Sequence, residues 1–231
     1  MNNWTEVEHS FRELFAREWY TNHGPLAKAF ELALSKQLGT EHAVCVVNPA
    51  IALTMALEVL QLKGPVAVLG KETRHTRSAL HWSQASVLEP QTLTAYPTPS
   101  AHQTPAAVLC NGTAPLGTAR ELAKECAIPL VLDCTAIHAR DLQPLCKIGI
   151  PTQCDLLVLS FDRGQAIEAQ GAACIATSNA ELAEALRNIR SSYGTRATVS
   201  VVKTANGRMS EAQAALGLIN LERWVMNGAE A

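Results

Sequence analysis

The chain has 231 residues, of which 48% are hydrophobic and 17% are charged. This length and composition are typical of one compact globular domain and exclude a disordered tail. The formal net charge of -2 excludes the overall basic surface that nucleic-acid binding requires.

The first predicted elements are two helices on either side of a strand. A helix over residues 25–38 has apolar residues at helical spacing and ends at Gly39. The apolar run 42–47 predicts a buried strand. Asn48 then precedes a second apolar helix over residues 49–60, with proline at its first position.

The same alternation continues to the end of the chain. Further apolar strands are predicted over residues 65–69, 106–110, 129–133, 155–160 and 171–177. Further helices are predicted over residues 116–126, 180–190 and 209–224, and His75 and His81 fall in another. Continuous apolar strands alternating with helices predict an α/β fold of three layers, with a mostly parallel seven-stranded sheet.

Two segments depart from this alternation. The strand over 171–177 follows the preceding strand too closely for a helical crossover, which favours an antiparallel orientation. Residues 91–105, rich in Thr, Pro, Ser and Ala, predict a surface loop.

The cysteines and the N-terminal sequence indicate in which cellular compartment the protein is expected. The seven cysteines include no C-x-x-C pair, so neither a disulfide framework nor a metal site is expected. The start of the chain lacks a signal-peptide pattern, and no run of about 18 apolar residues occurs. We therefore expect a cytoplasmic protein that does not interact with membranes.

Ligands of open parallel sheets bind outside the carboxyl ends of the strands. Polar residues follow four of the predicted strands at that edge: Asn48, Asn111, Asp133 and the stretch 160–165. The sequence therefore predicts a functional site there.

Three sequence patterns are more specific than this alternation. They are Gly24-Pro25-Leu26, Leu38-Gly-x-x-His-Ala-Val44 and Asn206-Gly-Arg-Met-Ser-Glu211-Ala-Gln-Ala-Ala, and they are read with Ser160-Phe161 after an apolar strand. Together they resemble the DegT-type sugar-nucleotide aminotransferases over residues 21–224. The resemblance implies the large domain of the aspartate-aminotransferase fold, a pyridoxal-phosphate site and a dimer whose second subunit completes that site. Residues 1–231 are then expected to form this single domain, and the small C-terminal domain of the family is expected to be absent.

The resemblance also assigns individual residues. Asp133 matches the carboxylate that pairs with the pyridinium nitrogen, and Ser160 matches a phosphate-binding serine. Asn206 matches an asparagine that reaches into the site of the partner subunit. Asn48 and Ala50 lie where the family binds phosphate at a helix N-terminus.

The position of the Schiff-base lysine, five residues after Ser160, is Gln165. A carboxamide neither forms an aldimine nor transfers protons, so no catalytic residue is expected there. The Ser-Gly-Thr of the phosphate site is Asn48-Pro49-Ala50, which removes one backbone N–H and the hydroxyls. Residues 70–74 lack the stacking aromatic residue, and Ala136 replaces a polar residue.

These departures leave three functional hypotheses. The first is a degenerate homologue without transaminase activity that acts as a binding or dimer-forming protein, as a homodimer or with an intact relative. The second is an aminotransferase-like protein that still binds pyridoxal or pyridoxamine phosphate noncovalently. The third is a binder of a small ligand or nucleotide sugar, with Arg163 as the partner of its anionic group.

Overall fold

The computed structural model describes residues 4–16, 18, 24–88, 104–112, 114–138, 141–142, 146, 149, 153–165, 167–191 and 206–229. The helices are α1 (Trp4–Ala16), α2 (Pro25–Leu38), α3 (Pro49–Val59), α4 (Arg74–Trp82), α5 (Leu116–Cys126), α6 (Ala180–Arg190) and α7 (Glu211–Ala229). The strands are β1 (His42–Val46), β2 (Val66–Leu69), β3 (Val87–Leu88), β4 (Ala107–Asn111), β5 (Leu130–Cys134), β6 (Leu156–Phe161) and β7 (Ala172–Thr177).

The seven strands form one sheet in the order β1-β7-β6-β5-β4-β2-β3. Strands β3, β2, β4, β5 and β6 run parallel to one another, whereas β7 is antiparallel to both β6 and β1. The mostly parallel seven-stranded sheet and the antiparallel β7 are therefore confirmed. The two-residue β3 and the helix α1 were not predicted, and most of the predicted loop, residues 91–103, lies outside the described residues.

Successive residues of a strand point to opposite faces of the sheet. Each face is apolar and is covered by helices. Ala43 and Cys45 of β1 pack in a core with α2, α5 and α7. Val44 and Val46 pack in the other core, which includes α3, α4 and α6. This confirms the three-layer arrangement.

A buried ion pair connects distant parts of the chain. The Arg190 Nη1 donates to Glu31 Oε1 at 2.6 Å and to the Cys45 carbonyl at 2.9 Å. The same Glu31 oxygen accepts from the Cys45 backbone N–H at 2.7 Å. The pair therefore joins α2, β1 and α6 and fixes the edge of the sheet.

The start of α2 is fixed by a residue from the other end of the chain. Both oxygens of the Glu211 carboxylate accept backbone hydrogen bonds, from Leu26 N–H at 2.8 Å and from Ala27 N–H at 3.0 Å. These N–H groups have no partner within the helix, so Glu211 acts as a distant helix cap. Two of the sequence patterns that carry the family resemblance thus form one structural contact.

None of the helices in the described ranges combines the length and apolar character that a membrane span requires.

Candidate functional site

The candidate site is centred on Asp133, at the carboxyl end of β5. Its side chain is buried, with 1% of the residue exposed. One carboxylate oxygen accepts from the Thr135 backbone N–H at 2.9 Å and from the Thr135 hydroxyl at 2.7 Å. The other accepts from the Thr76 hydroxyl at 2.5 Å. Since a carboxylate has about four acceptor positions, one is left for a further donor.

Thr76 reaches Asp133 from the first turn of α4. Thr73 caps this helix, and its hydroxyl lies 2.8 Å from the Thr76 hydroxyl in a reciprocal capping box. The polar start of α4 is therefore held against the end of β5. The chain consequently brings its own hydroxyl groups to the carboxylate that the resemblance assigns to a cofactor ring.

Gln165 lies in the turn after β6 and faces the same region. Its side-chain amide donates to the Thr135 carbonyl at 3.5 Å, which is at the long limit of a hydrogen bond. The backbone N–H of Gln165 donates to the Asp162 carbonyl at 3.1 Å. Lys71 follows β2 at this edge of the sheet and is exposed.

Ser160 is buried near the carboxyl end of β6. Its hydroxyl oxygen accepts from the Asp162 backbone N–H at 3.1 Å. This bond shapes the turn that leads to Gln165, so Ser160 has a structural role independent of any ligand.

The start of α3 offers little to an anion. The Asn48 side chain accepts from the Ile51 backbone N–H at 2.8 Å, and Pro49 has no N–H. Ala50 adds no hydroxyl. Of the first three backbone positions of this helix, only Ala50 therefore retains an N–H that is not capped by Asn48.

Asn206 lies beside β1, at the edge of the sheet, three strands away from β5. The next residue, Gly207, accepts from the Val47 backbone N–H at 2.8 Å. The Asn206 side chain is exposed and accepts from Arg208 at 3.0 Å. The structure thus brings Asp133 and Gln165 together through Thr135, whereas it places Asn206 and Asn48 at the β1 end of the site.

Sequence reasoning missed Thr76 and His75 as members of the site, whereas Asp162 belongs to the predicted stretch 160–165. The His75 Nε2 atom lies 3.3 Å from Asp162 and accepts from the Arg74 Nε at 3.2 Å. Burial lowers the pKa of His75, and the charge of Arg74 lowers it further, whereas Asp162 and Asp133 act in the opposite direction. The Thr73-x-x-Thr76 spacing was a readable capping signal, but nothing local relates α4 to Asp133.

An open cleft lies at the opposite edge of the sheet, at the amino ends of β5 and β6. Its lining includes Arg120, Lys124 and Asp155. These side chains are remote from the carboxyl ends of the strands, so the cleft does not belong to the candidate site.

Comparison with known proteins identifies the family. The sequence profile of the DegT/DnrJ/EryC1/StrS aminotransferase family matches residues 3–73 and 107–227, more than half of the chain. This chain belongs to that family.

Solved structures of aminotransferases share the fold of this family member. The structure of DesI in the presence of its TDP-sugar product has a TM-score of 0.79 at 22% identity and covers 98% of this chain and 60% of its own. DesV from S. venezuelae has a TM-score of 0.77 at 24% identity and covers 96% and 62%. NtdA from Bacillus subtilis, solved with bound cofactor PMP, has a TM-score of 0.77 at 20% identity and covers 96% and 53%. No curated protein sequence matches.

The chain therefore spans just over half the length of these structures, and at these identities the likeness shows the fold. The large domain of the aspartate-aminotransferase type, expected from the sequence, is confirmed in its α/β architecture and its family.

Pyridoxal phosphate, the cofactor implied by the family, fits this site only in part. Asp133 has one open acceptor position for a ring N–H. The phosphate end is poor in donors because Pro49 has none and Ile51 is already capped. Gln165 supplies no amine for covalent attachment. The residues present do not fit a covalently bound, catalytic cofactor.

Proposed function

We propose that this family member does not catalyse transamination and acts instead as a binding or dimer-forming protein. The observation that carries the proposal is Gln165. Its carboxamide lies after β6, bonded to the Thr135 carbonyl beside the buried Asp133. The resemblance to the family implies that the cofactor lysine would stand at this position.

The chemistry of the side chain supports this proposal. The nitrogen lone pair of a carboxamide is delocalised into the carbonyl, so Gln165 is neither a nucleophile nor a base at neutral pH. Thr76 and Thr135 supply three hydrogen bonds to the Asp133 carboxylate from the chain itself.

Noncovalent binding of pyridoxal or pyridoxamine phosphate is the second candidate. It is favoured by the open acceptor position of Asp133, which is buried at the strand end where a ring nitrogen would be bound. In this alternative, Asp133 and Ser160 orient the ring and phosphate, and Asn206 belongs to the site of a neighbouring subunit. When bound, the cofactor supplies an electron sink, and Gln165 supplies no amine to form an aldimine with it.

One titration separates the two candidates. Pyridoxal phosphate is added to the protein, followed by an amino donor, while absorption and retained cofactor are measured after gel filtration. We expect no aldimine absorption band and no retained cofactor. Retention without an aldimine band would establish the second candidate, and a band that shifts with the amino donor would overturn the proposal.

The variant Gln165→Lys tests how much of the site has been lost. We expect less than a hundredth of the turnover of an intact relative, because one catalytic group removed from such a site costs several powers of ten and the phosphate end is also altered. Lys63→Gln, at the amino end of β2, is the control for changes in charge. Turnover by Gln165→Lys equal to that of an intact relative would show that Gln165 is the only defect.

We also propose that the chain forms a dimer, with itself or with an intact relative, through residues 206–224. The exposure of Asn206 supports this arrangement, because a side chain that completes a neighbouring site must reach the surface. The half-buried apolar residues Leu216 and Ile219 lie one turn apart in the same region. These two features make the start and middle of α7 the favoured contact surface.

A further inference from the structure

The Nε2 atom of His75 has two neighbours that require different protonation states. The Arg74 Nε donates to it at 3.2 Å, which requires a lone pair on Nε2. Asp162 lies 3.3 Å from the same atom and attracts it only when Nε2 carries a proton. One nitrogen cannot accept and donate at the same time.

The two contacts also differ in what they connect. Arg74 and His75 are neighbours in α4, so their bond stays within one helix. Asp162 belongs to the turn after β6, the turn that carries Gln165. Thr76, the residue after His75 in α4, donates a hydrogen bond to Asp133 at the carboxyl end of β5. A contact between His75 and Asp162 therefore joins α4 to the turn after β6 beside that strand end.

We propose that His75 is a protonation switch of the candidate site: the neutral ring accepts from Arg74, and the protonated ring forms an ion pair with Asp162 that fastens α4 to the turn after β6. In the protonated form a closed circuit of contacts surrounds Asp133. It runs through Thr76, His75, Asp162, Gln165 and Thr135. In the neutral form the His75 contact with Asp162 is lost, and the ion pair between the exposed Arg74 Nη2 and Asp162, at 3.6 Å, still joins α4 to that turn.

The charged groups around His75 set the direction of the switch. They are Arg74 on its own helix, Asp162 on the turn after β6 and Asp133 on β5. Burial and Arg74 oppose protonation, and the two carboxylates favour it. The ion pair therefore forms at a more acidic pH than that at which an exposed histidine takes up its proton. The inference concerns the contact between α4 and the turn after β6 and holds whether or not the site binds a cofactor.

Nitrogen NMR of the histidine rings in the cofactor-free protein tests the switch. We expect the neutral His75 ring to carry its proton on Nδ1, leaving Nε2 as the acceptor. The backbone amides of Asp162 and Gln165 should shift with the same midpoint as the ring. A neutral ring with its proton on Nε2 would already donate to Asp162 and would overturn the proposal, as would amides that do not follow the ring.

Two variants give opposite expected shifts. Asp162→Asn removes the carboxylate partner and should lower the pKa of His75 further, whereas Arg74→Gln removes a positive charge and should raise it. Arg77→Gln, an exposed change on the same helix, is the control and should have a smaller effect than either. Equal midpoints in all four proteins would contradict the inference. Pyridoxal-phosphate binding is measured separately, so failure of the proposed function leaves this result interpretable.

Discussion

At the scale of single residues, polar side chains in this protein hold neighbouring elements together. Asp133 fastens the start of α4 to β5 through Thr76. Glu211 joins the start of α7 to the start of α2. Such side chains contribute to folding whether or not they also bind a ligand.

Glu211→Gln tests this structural role. The amide keeps one acceptor but turns N–H groups towards a helix start that offers only donors, so one backbone N–H loses its partner. We expect a loss of about 2 kcal/mol in the free energy of unfolding, since hydrogen bonds to charged groups and the helix dipole both contribute. Urea denaturation followed by circular dichroism measures it.

Glu184→Gln is the matched control, on α6. Glu184 is exposed and lies outside residues 206–224, so a change there should alter stability by less than about 0.5 kcal/mol. Equal stability of the two variants would show that the Glu211 contact with α2 does not stabilise the fold.

The residues of the candidate site differ in whether their place in the site could be predicted from the sequence. Asp133 and Gln165 were predicted at this edge because each follows an apolar strand, and the structure places both there. Thr76 and His75 were missed because their contacts with Asp133 and Asp162 exist only after β2, β5 and β6 assemble. Asn206 was assigned to the site from the family resemblance, and the structure places it at the edge strand β1.

At the scale of elements, most strands were predicted from continuous runs of apolar residues, because strands of a parallel sheet are buried on both faces. The exception is β3, whose two residues are too few to show a pattern. The helix boundaries were also approximate, since α7 continues to Ala229 rather than ending near residue 224. Exposed helix ends have weak signals, because no packing depends on them.

The contact between α2 and α7 depends on a glycine. A Cβ atom at Gly217 would lie 2.6 Å from the ring of Phe30. This ring is fully buried and packs against Phe161 with centroids 5.3 Å apart, so it has no free space into which it can move. The two helices can approach this closely only because residue 217 lacks a side chain.

Gly217→Ala should therefore destabilise the protein by about 1–3 kcal/mol, the usual cost of overpacking a core. Gly117→Ala is the matched substitution in α5, where an added Cβ meets nothing within 4 Å. That variant should gain up to about 0.5 kcal/mol from the better helix propensity of alanine. Thermal and urea denaturation of both variants give the comparison, and a stabilised Gly217→Ala protein would contradict the close packing of α2 on α7.

At the scale of the whole molecule, the chain has a complete sheet with helices on both faces, yet it corresponds to only 53–62% of the DesI, DesV and NtdA chains. The fold alone therefore does not establish the assembly in which the protein acts. Residues 206–224 include the exposed Asn206 and most of α7, in which many residues are half-buried. This combination suits a surface that is covered by a second protein.

The proposed homodimer predicts a mass near 50 kDa, twice the 24.8 kDa of the chain, in sedimentation equilibrium of the protein alone, and the mixed dimer predicts 24.8 kDa plus the mass of the intact family member. Glu222→Arg places a positive charge on the exposed side of the proposed surface and should weaken the association at least tenfold, because charge placed in a dehydrating contact is unfavourable. Glu121→Arg makes the same change on the exposed side of α5 and should leave the association unchanged. If the protein stays at 24.8 kDa alone and in every mixture, the dimer proposal is wrong; if both variants dissociate alike, the contact does not involve α7.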